Sequence, residues 1–165
     1  MNAQTTLPAV ERSVTVNAPV EKAFSVFTDQ FASWWPEGYN INPNGYAGAY
    51  IEPRVGGRWF ERAPDGSECD WGRVLAWEPS HRVLLSWQLT GDWDFDPDPA
   101  NASEVEVRFT AEGPLTTRVE VVHSKLERAV DGEKLAKGVG ADGGWGTLLG
   151  RFADMIEGRE PTSPQ

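Results

Sequence analysis

The sequence predicts an α+β domain in which about seven antiparallel strands pack against a long C-terminal helix, and three observations carry that prediction. Between residues 57 and 123, apolar side chains recur at every second position and the runs are separated by turn chemistry: Ala63-Pro64-Asp65-Gly66, Glu78-Pro79-Ser80-His81 and Gly113-Pro114. Two short helical patterns stand after the first strand, before the meander begins. The third observation is the stretch 143–158, GGWGTLLGRFADMIEG, where Trp145, Leu148, Leu149, Phe152 and Ile156 fall three and four residues apart and form one apolar stripe.

Taken in order, residues 10–16 alternate, with Val14 and Val16 on one face and Ser13 and Thr15 on the other, as a half-buried strand does. Asn17-Ala18-Pro19 then opens a helix through Thr28, with Asn17 as expected N-cap and Val20, Phe24 and Phe27 on the apolar side. A second helical piece covers 31–35 and stops at Pro36. Residues 36–48 are rich in Gly, Asn, Pro and Tyr, which predicts an ordered loop. Strands are expected at 50–52, 57–62, 69–77, 82–89, 104–111 and 116–123, with an acidic loop over 91–102. Residues 126–137 read as a helix interrupted by Gly132, and 138–144 as a glycine-rich hinge. The last helix should run about 15 residues, or about 22 Å, from an Asp142 N-cap to Gly158. Thr147, Arg151 and Asp154 fall on its wetted side, and Gly146 and Gly150 border its apolar stripe. That border fits either close helix-to-sheet contact or a cavity wall.

Composition sets the boundaries. A chain of 165 residues fits one domain able to bury about two-thirds of its unfolded surface without disulfides or metal. The division expected is a flexible leader over 1–9, one domain over 10–158 and a flexible tail over 159–165. The lone Cys69 and a polar leader without an apolar signal region point to a cytoplasmic protein, and no membrane-inserting run is present. Fifteen basic against 25 acidic residues, a net charge of −10, exclude a phosphate-backbone binder, so no nucleic-acid partner is expected. Eight Trp, seven Phe and three Tyr make aromatic area the main currency of burial.

The strings IEPRVGGRWFE, GRVLAWEP, RVLLSWQL, SEVEVRFT, VEVVHSKLER and GGWGTLLGRF together resemble the activator of heat-shock-protein-90 ATPase homologue-1-like domain. That domain belongs to the START-related, birch-pollen-allergen-like superfamily, and the resemblance spans about residues 10–157. It implies a helix-grip fold: a curved seven-stranded antiparallel sheet wrapped around the long last helix, with a cavity between them that relatives use for lipids, sterols, polyketides and other apolar molecules. It also brings a place in the stress response and a chaperone partner as expectations. The eukaryotic co-chaperones that named the family carry a further N-terminal domain, and about nine residues precede the first strand here, so co-chaperone activity is not the expected reading.

The candidate ligand-binding set follows from parity and stripe. Trp59, Trp87, Phe109 and Trp145 can aim at one interior, joined by Trp34 and Trp35 from the helical pair and by Leu149 and Phe152 from the last helix. Such rings either fill a core or line a cavity, and both alternatives stand at this point. Glu61 and His123 share parity with inward residues and are the weak candidates for acid and base, with Arg73 as a counter-charge for Glu61. The run Asp92-Trp93-Asp94-Phe95-Asp96-Pro97-Asp98 lacks the Gly and Glu of a calcium loop, and is expected instead as a loop whose Trp93 and Phe95 cover the cavity mouth. Neither His81 nor His123 stands in metal-ligand spacing, and no nucleotide-binding or nucleophile-elbow motif is present, so neither metal nor cofactor is expected. The expected function is binding of a small hydrophobic or aromatic ligand. The alternatives are a cyclase, aromatase or hydrolase using the same cavity, and a chaperone-associated partner protein. A monomer or a homodimer fits either.

Overall fold

The structure is a computed structural model that describes residues 6–159. The chain runs β1 (Val10–Val16), α1 (Val20–Thr28), α2 (Phe31–Trp34), β2 (Gly48–Ile51), β3 (Arg58–Arg62), β4 (Glu68–Glu78), β5 (Arg82–Trp87), β6 (Ser103–Gly113), β7 (Thr116–Ser124), α3 (Gly132–Gly140) and α4 (Trp145–Ile156). One-turn 3-10 helices lie at Pro99–Asn101 and Leu126–Arg128. All seven strands join one antiparallel sheet in the order β1-β7-β6-β5-β4-β3-β2, so the α+β helix-grip prediction holds. The first strand pairs with the last, Val14 opposite Val119, while α1 and α2 carry the chain across to the far edge at β2.

Period-two burial is clearest in β7, where Thr117, Val119, Val121 and His123 are buried in alternation. Irregularities at Trp59/Phe60, Val74/Ala76 and Ala111/Gly113 break the pairing register and bend the sheet into a half-barrel. Into its hollow α4 sets Trp145, Leu148, Leu149, Phe152, Ala153 and Ile156. Phe152 meets Phe27 and Trp34 edge-on at 5.4 and 5.7 Å, and Phe27 reaches the sheet through Phe109 at 5.7 Å. These edge-to-face contacts each add about 0.5–1.5 kcal/mol to the area they bury.

Several expected boundaries move for local reasons. Strand β5 ends at Trp87 and not at Leu89, because the chain leaves the ladder and makes only an isolated bridge between Leu89 and Phe95. The helix expected over 126–137 is a 3-10 turn followed by α3, separated by Asp131 in the left-handed conformation, φ 56°. Helix α3 runs through Gly138 and Gly140, so the hinge shrinks to Ala141–Gly144. Helix α4 has 12 residues because Gly144 takes the N-cap place and Asp142 makes no capping bond; Gly158, at φ 77°, lies just past its end. Asn17 does not cap α1 either, whose N-cap is Pro19. The Asn17 backbone N–H instead donates to Glu157 Oε2 at 2.7 Å and ties the end of α4 to the turn after β1. Arg151, expected in water, is half-buried and donates through Nε to the Trp34 carbonyl at 3.0 Å. At the inner end of the leader, Leu7 packs against the core and donates its N–H to Glu127 Oε1 at 3.1 Å. Residues 160–165 of the expected tail and 1–5 of the leader lie outside the described residues. No helix among the described residues is long and apolar enough to cross a membrane.

The glycine border of α4 does not mark close packing. A Cβ on Gly150 would meet nothing within 4 Å, and one on Gly146 would reach only the Arg12 side chain at 3.9 Å. Gly72 of β4 is the opposite case, since a Cβ there would fall 1.8 Å from the Ser86 carbonyl oxygen. Gly150→Ala is therefore expected to stabilise the domain by about 0.5–1 kcal/mol through helix propensity, whereas Gly72→Ala should destabilise it. Urea denaturation of the two variants beside the parent checks both signs.

Candidate functional site

Between the hollow of the sheet and the foot of α4 lies a cleft of about 360 Å³. Its sheet wall is Trp71 of β4, Trp87 of β5 and Leu89. The loop after α2 contributes Trp35, Tyr39 and Ile41, and the opposite side is Val139 of α3 with Trp145 and Leu148 of α4. Trp93 stands at the open side. Five indoles and one phenol thus surround a space in the size range of small-molecule sites.

A buried indole is stabilised when its N–H finds an acceptor, and three of the wall indoles find three different ones. Trp35 Nε1 donates to the Tyr39 carbonyl at 3.2 Å, closing the turn after α2, and the Tyr39 hydroxyl donates to the Gly143 carbonyl at 2.7 Å, pinning that loop to the approach of α4. Trp71 Nε1 donates to Glu61 Oε1 at 2.8 Å. Trp145 Nε1 donates to His123 Nδ1 at 3.1 Å.

Glu61 is fully buried on β3. It accepts from the backbone N–H groups of Ile41 and Asn42, at 2.6 and 3.2 Å, as well as from Trp71. Three N–H donors hold this carboxylate, and among the described residues no basic side chain forms an ion pair with it. The charge is thereby spent on fixing two wall elements, the 36–47 loop and the Trp71 ring. Arg73, the expected counter-charge, turns the other way and pairs with Asp70 at 3.2 Å on the outer face. Burial, then the neighbouring Tyr50 and Glu61, push the Tyr46 hydroxyl up to about 12, so it stays protonated.

His123 is fully buried on β7. Because an indole can only donate, Nδ1 is the acceptor and the proton sits on Nε2, which donates to Ser103 Oγ at 2.8 Å. The Ser103 hydroxyl in turn reaches the Trp87 carbonyl at 3.4 Å. One imidazole therefore joins the first residue of α4 to two central strands. Burial lowers its pKa to about 3, so it is neutral at any ordinary pH.

Glu61 and His123 do point inward, but neither lines the cleft; they stand behind Trp71 and behind Trp145 and Trp87. Of the expected ring set, Trp35, Trp87 and Trp145 reach the wall. Trp34, Trp59, Phe109, Leu149 and Phe152 are packed into the core and do not. Trp93 is at the mouth as expected, while Phe95 is half-buried against the core and lines nothing. Sequence reasoning missed Trp71, Tyr39, Ile41, Val139 and Leu148. Neither Gly146 nor Gly150 lines the cleft. Cys69 is half-buried and its thiol is pushed up by burial, Glu61 and Asp70, against a thiolate role. Among the described residues no three His, Cys, Asp or Glu side chains gather as a metal site.

A curved antiparallel sheet clasping its C-terminal helix over an aromatic cleft defines a helix-grip domain of the START-related superfamily. The sequence profile of the family described as activator of Hsp90 ATPase homolog 1-like protein matches residues 17–157, and the chain belongs to that family. Among solved structures it is similar to an anthrahydroquino-γ-pyrone synthase, Txn09, with 42% identity and a TM-score of 0.64, over 90% of this chain and 97% of that one. It is also similar to CalC of Micromonospora echinospora, a self-sacrificing resistance protein, with 31% identity and a TM-score of 0.67, over 94% of this chain and 98% of that one. CalU16 of the same organism shares 25% identity, with a TM-score of 0.58, over 97% of this chain and 83% of that one. Among curated proteins none matches the chain.

The two buried polar groups give separable expectations. Glu61→Gln replaces an acceptor-only group by an amide whose NH₂ must face an N–H, and should cost about 2 kcal/mol in urea denaturation with loss of the near-ultraviolet dichroism of the tryptophans. For His123 the folded pKa of about 3 lies below the unfolded value near 6.5, so between these limits the unfolded chain holds a proton that the folded one refuses. Stability should fall as pH drops from about 6.5, by up to about 1.4 kcal/mol per pH unit, and His123→Gln should remove that part of the slope. Denaturation at a series of pH values, parent beside variant, measures the difference.

Proposed function

We propose that this chain binds a flat, polycyclic aromatic small molecule of polyketide type in the cleft and shields it from water. The observation that carries the reading is the wall itself: five indoles and Tyr39 around about 360 Å³, with Trp35, Trp71 and Trp145 held by acceptors that are committed to the wall and not to a ligand. Flat aromatic ligands stack on such surfaces, and rigid walls lower the entropy lost on binding. The similarity to an anthrahydroquino-γ-pyrone synthase supports this class of ligand.

A second reading, ring closure within the same cleft, is favoured by the 42% identity to a synthase along nearly the whole chain. In that reading Glu61 and His123 are not the acid and base, because both are consumed behind the wall. The ionisable groups on the wall are Asp142, which is exposed, and Tyr39, whose hydroxyl already donates to Gly143. Catalysis would then come chiefly from holding a reactive chain in the folded shape that closes, with water kept out. A cytoplasmic setting, a metal- and cofactor-free site and a single domain over 10–158 complete the proposal. A chaperone partner and a role in the stress response have only the family name behind them.

Titration with 1,4-dihydroxyanthraquinone should give saturable quenching of tryptophan fluorescence and a raised Tm, and Trp87→Leu should weaken binding about tenfold. Quenching that does not saturate, with an unmoved Tm, overturns the reading. Ring closure is separated from binding by Asp142→Asn: for a synthase whose base is Asp142, conversion falls while affinity stays.

A further inference from the structure

The loop 88–98 brings one ring to the cleft on different terms from all the others. Trp35, Trp71, Trp87 and Trp145 are at most 6% exposed, whereas Trp93 is 43% exposed although it also lines the cleft. Its backbone sits in the left-handed region, φ 66°, a conformation that costs a residue with a Cβ about 1 kcal/mol or more. Its indole meets Trp87 edge-on at 6.4 Å. The other contact is with α3: a Cβ on Gly138 would lie 2.8 Å from Trp93 Cζ2 and 3.2 Å from Cη2. Glycine inside a helix is ordinarily a loss of about 1 kcal/mol against alanine. The seat for the indole explains that glycine.

We infer that Trp93 is a movable wall of the cleft, seated on Gly138, and that this pair decides how large a ligand enters and how long it stays. The inference rests on the ligand-binding reading above. The frame around the ring is fixed at both ends, so the moving part is the ring and not the loop. At the base, Gln88 N–H donates to the Trp71 carbonyl and Asp96 N–H to the Gln88 carbonyl, each at 2.7 Å. At the tip, Gly91 N–H donates to the Val130 carbonyl at 2.9 Å, and Asp92 pairs with Lys134 of α3. Thr90 Oγ1 accepts from the N–H groups of Asp92 and Asp94, at 3.1 and 3.3 Å. With the backbone so held, the indole can swing outward into water about its own side-chain torsions. Swinging gives up the Gly138 seat and the edge of Trp87, and leaves the committed hydrogen bonds of the other walls intact. Ligands larger than the seated cleft admits would then bind only with the ring displaced, and every bound ligand would leave through the gap it opens.

The test uses the full chain labelled with 5-fluorotryptophan, the Trp93 resonance being assigned by Trp93→Phe. Gly138→Ala keeps α3 and puts a methyl group where the ring sits; Trp93→Gly removes the ring and suits the positive φ. Expected for Gly138→Ala is a Trp93 fluorine signal shifted toward that of free tryptophan, with the other signals of the cleft in place. Stopped-flow release of 1,4-dihydroxyanthraquinone should quicken about tenfold in both variants. A Trp93 signal unmoved by Gly138→Ala overturns the seat, whether or not the probe binds. A moved signal with release rates equal to the parent's overturns the gate. Failure of the probe to bind the parent at all defeats the ligand-binding reading and, with it, the gate, while the fluorine shift still decides the seat on its own.

Discussion

The constraint on which this fold turns is that burying an indole costs free energy unless its N–H finds an acceptor. A cleft walled by tryptophan multiplies the problem, and the chain solves it with groups that would be expensive to bury for any other reason. Glu61 accepts the Trp71 N–H together with two from the backbone, which binds β3, β4 and the loop after α2 into one surface. His123 accepts the Trp145 N–H and passes the connection through Ser103 to Trp87, which binds α4 to β5, β6 and β7. Loss of either acceptor would leave a donor stranded in a dry wall, at a cost of about 1–3 kcal/mol, and would loosen the surface that gives the cleft its shape. The indoles of Trp34, Trp59 and Trp87 show the other side of the balance, being buried with no acceptor for Nε1 among the described residues.

Much of the architecture was legible because side-chain period and sheet face are tightly linked. In β5, β6 and β7 the alternation of Val83, Leu85 and Trp87, of Val105, Val107 and Phe109, and of Val119, Val121 and His123 puts every one of these residues inside. Parity also turned Glu61 and His123 inward correctly. What parity cannot give is depth, and both residues lie one layer behind the surface that a ligand would touch. Strand β4 defeated the same reasoning because its pairing with β3 goes from Gly72 opposite Trp59 to Asp70 opposite Phe60 and skips Trp71, which breaks the alternation there; Trp71 was missed and Arg73 was aimed inward when it faces outward. Tyr39 and Ile41 sit on a loop with no period to read, held in place by Glu61 and Gly143, residues distant in sequence. The caps Asn17 and Asp142 failed for a related reason, since a cap is a local geometry and the backbone turned elsewhere.

The family relation and the structural relatives agree on scaffold and differ in occupation. A pyrone synthase and a self-sacrificing resistance protein, at 42% and 31% identity, are both near-full-length matches. A scaffold shared so closely by proteins of different task leaves the task to the few side chains that face the hollow and to the loop that partly closes it. In this chain those positions hold rings on five separate segments, the loop after α2, β4, β5, the loop 88–98 and α4, with acid–base groups set back or at the rim. The arrangement gives the hollow a defined aromatic shape and sets few ionisable groups on its wall.

The buried imidazole has one more consequence. With its pKa near 3, His123 contributes no change of charge anywhere in the neutral range, and the wall it supports therefore presents an unchanging electrostatic face to whatever lies against it. A phenolic guest carries its own acidic protons. Any drift of affinity across neutral pH would then read the ionisation of the guest rather than that of this imidazole, and would help to identify the guest by its own titration.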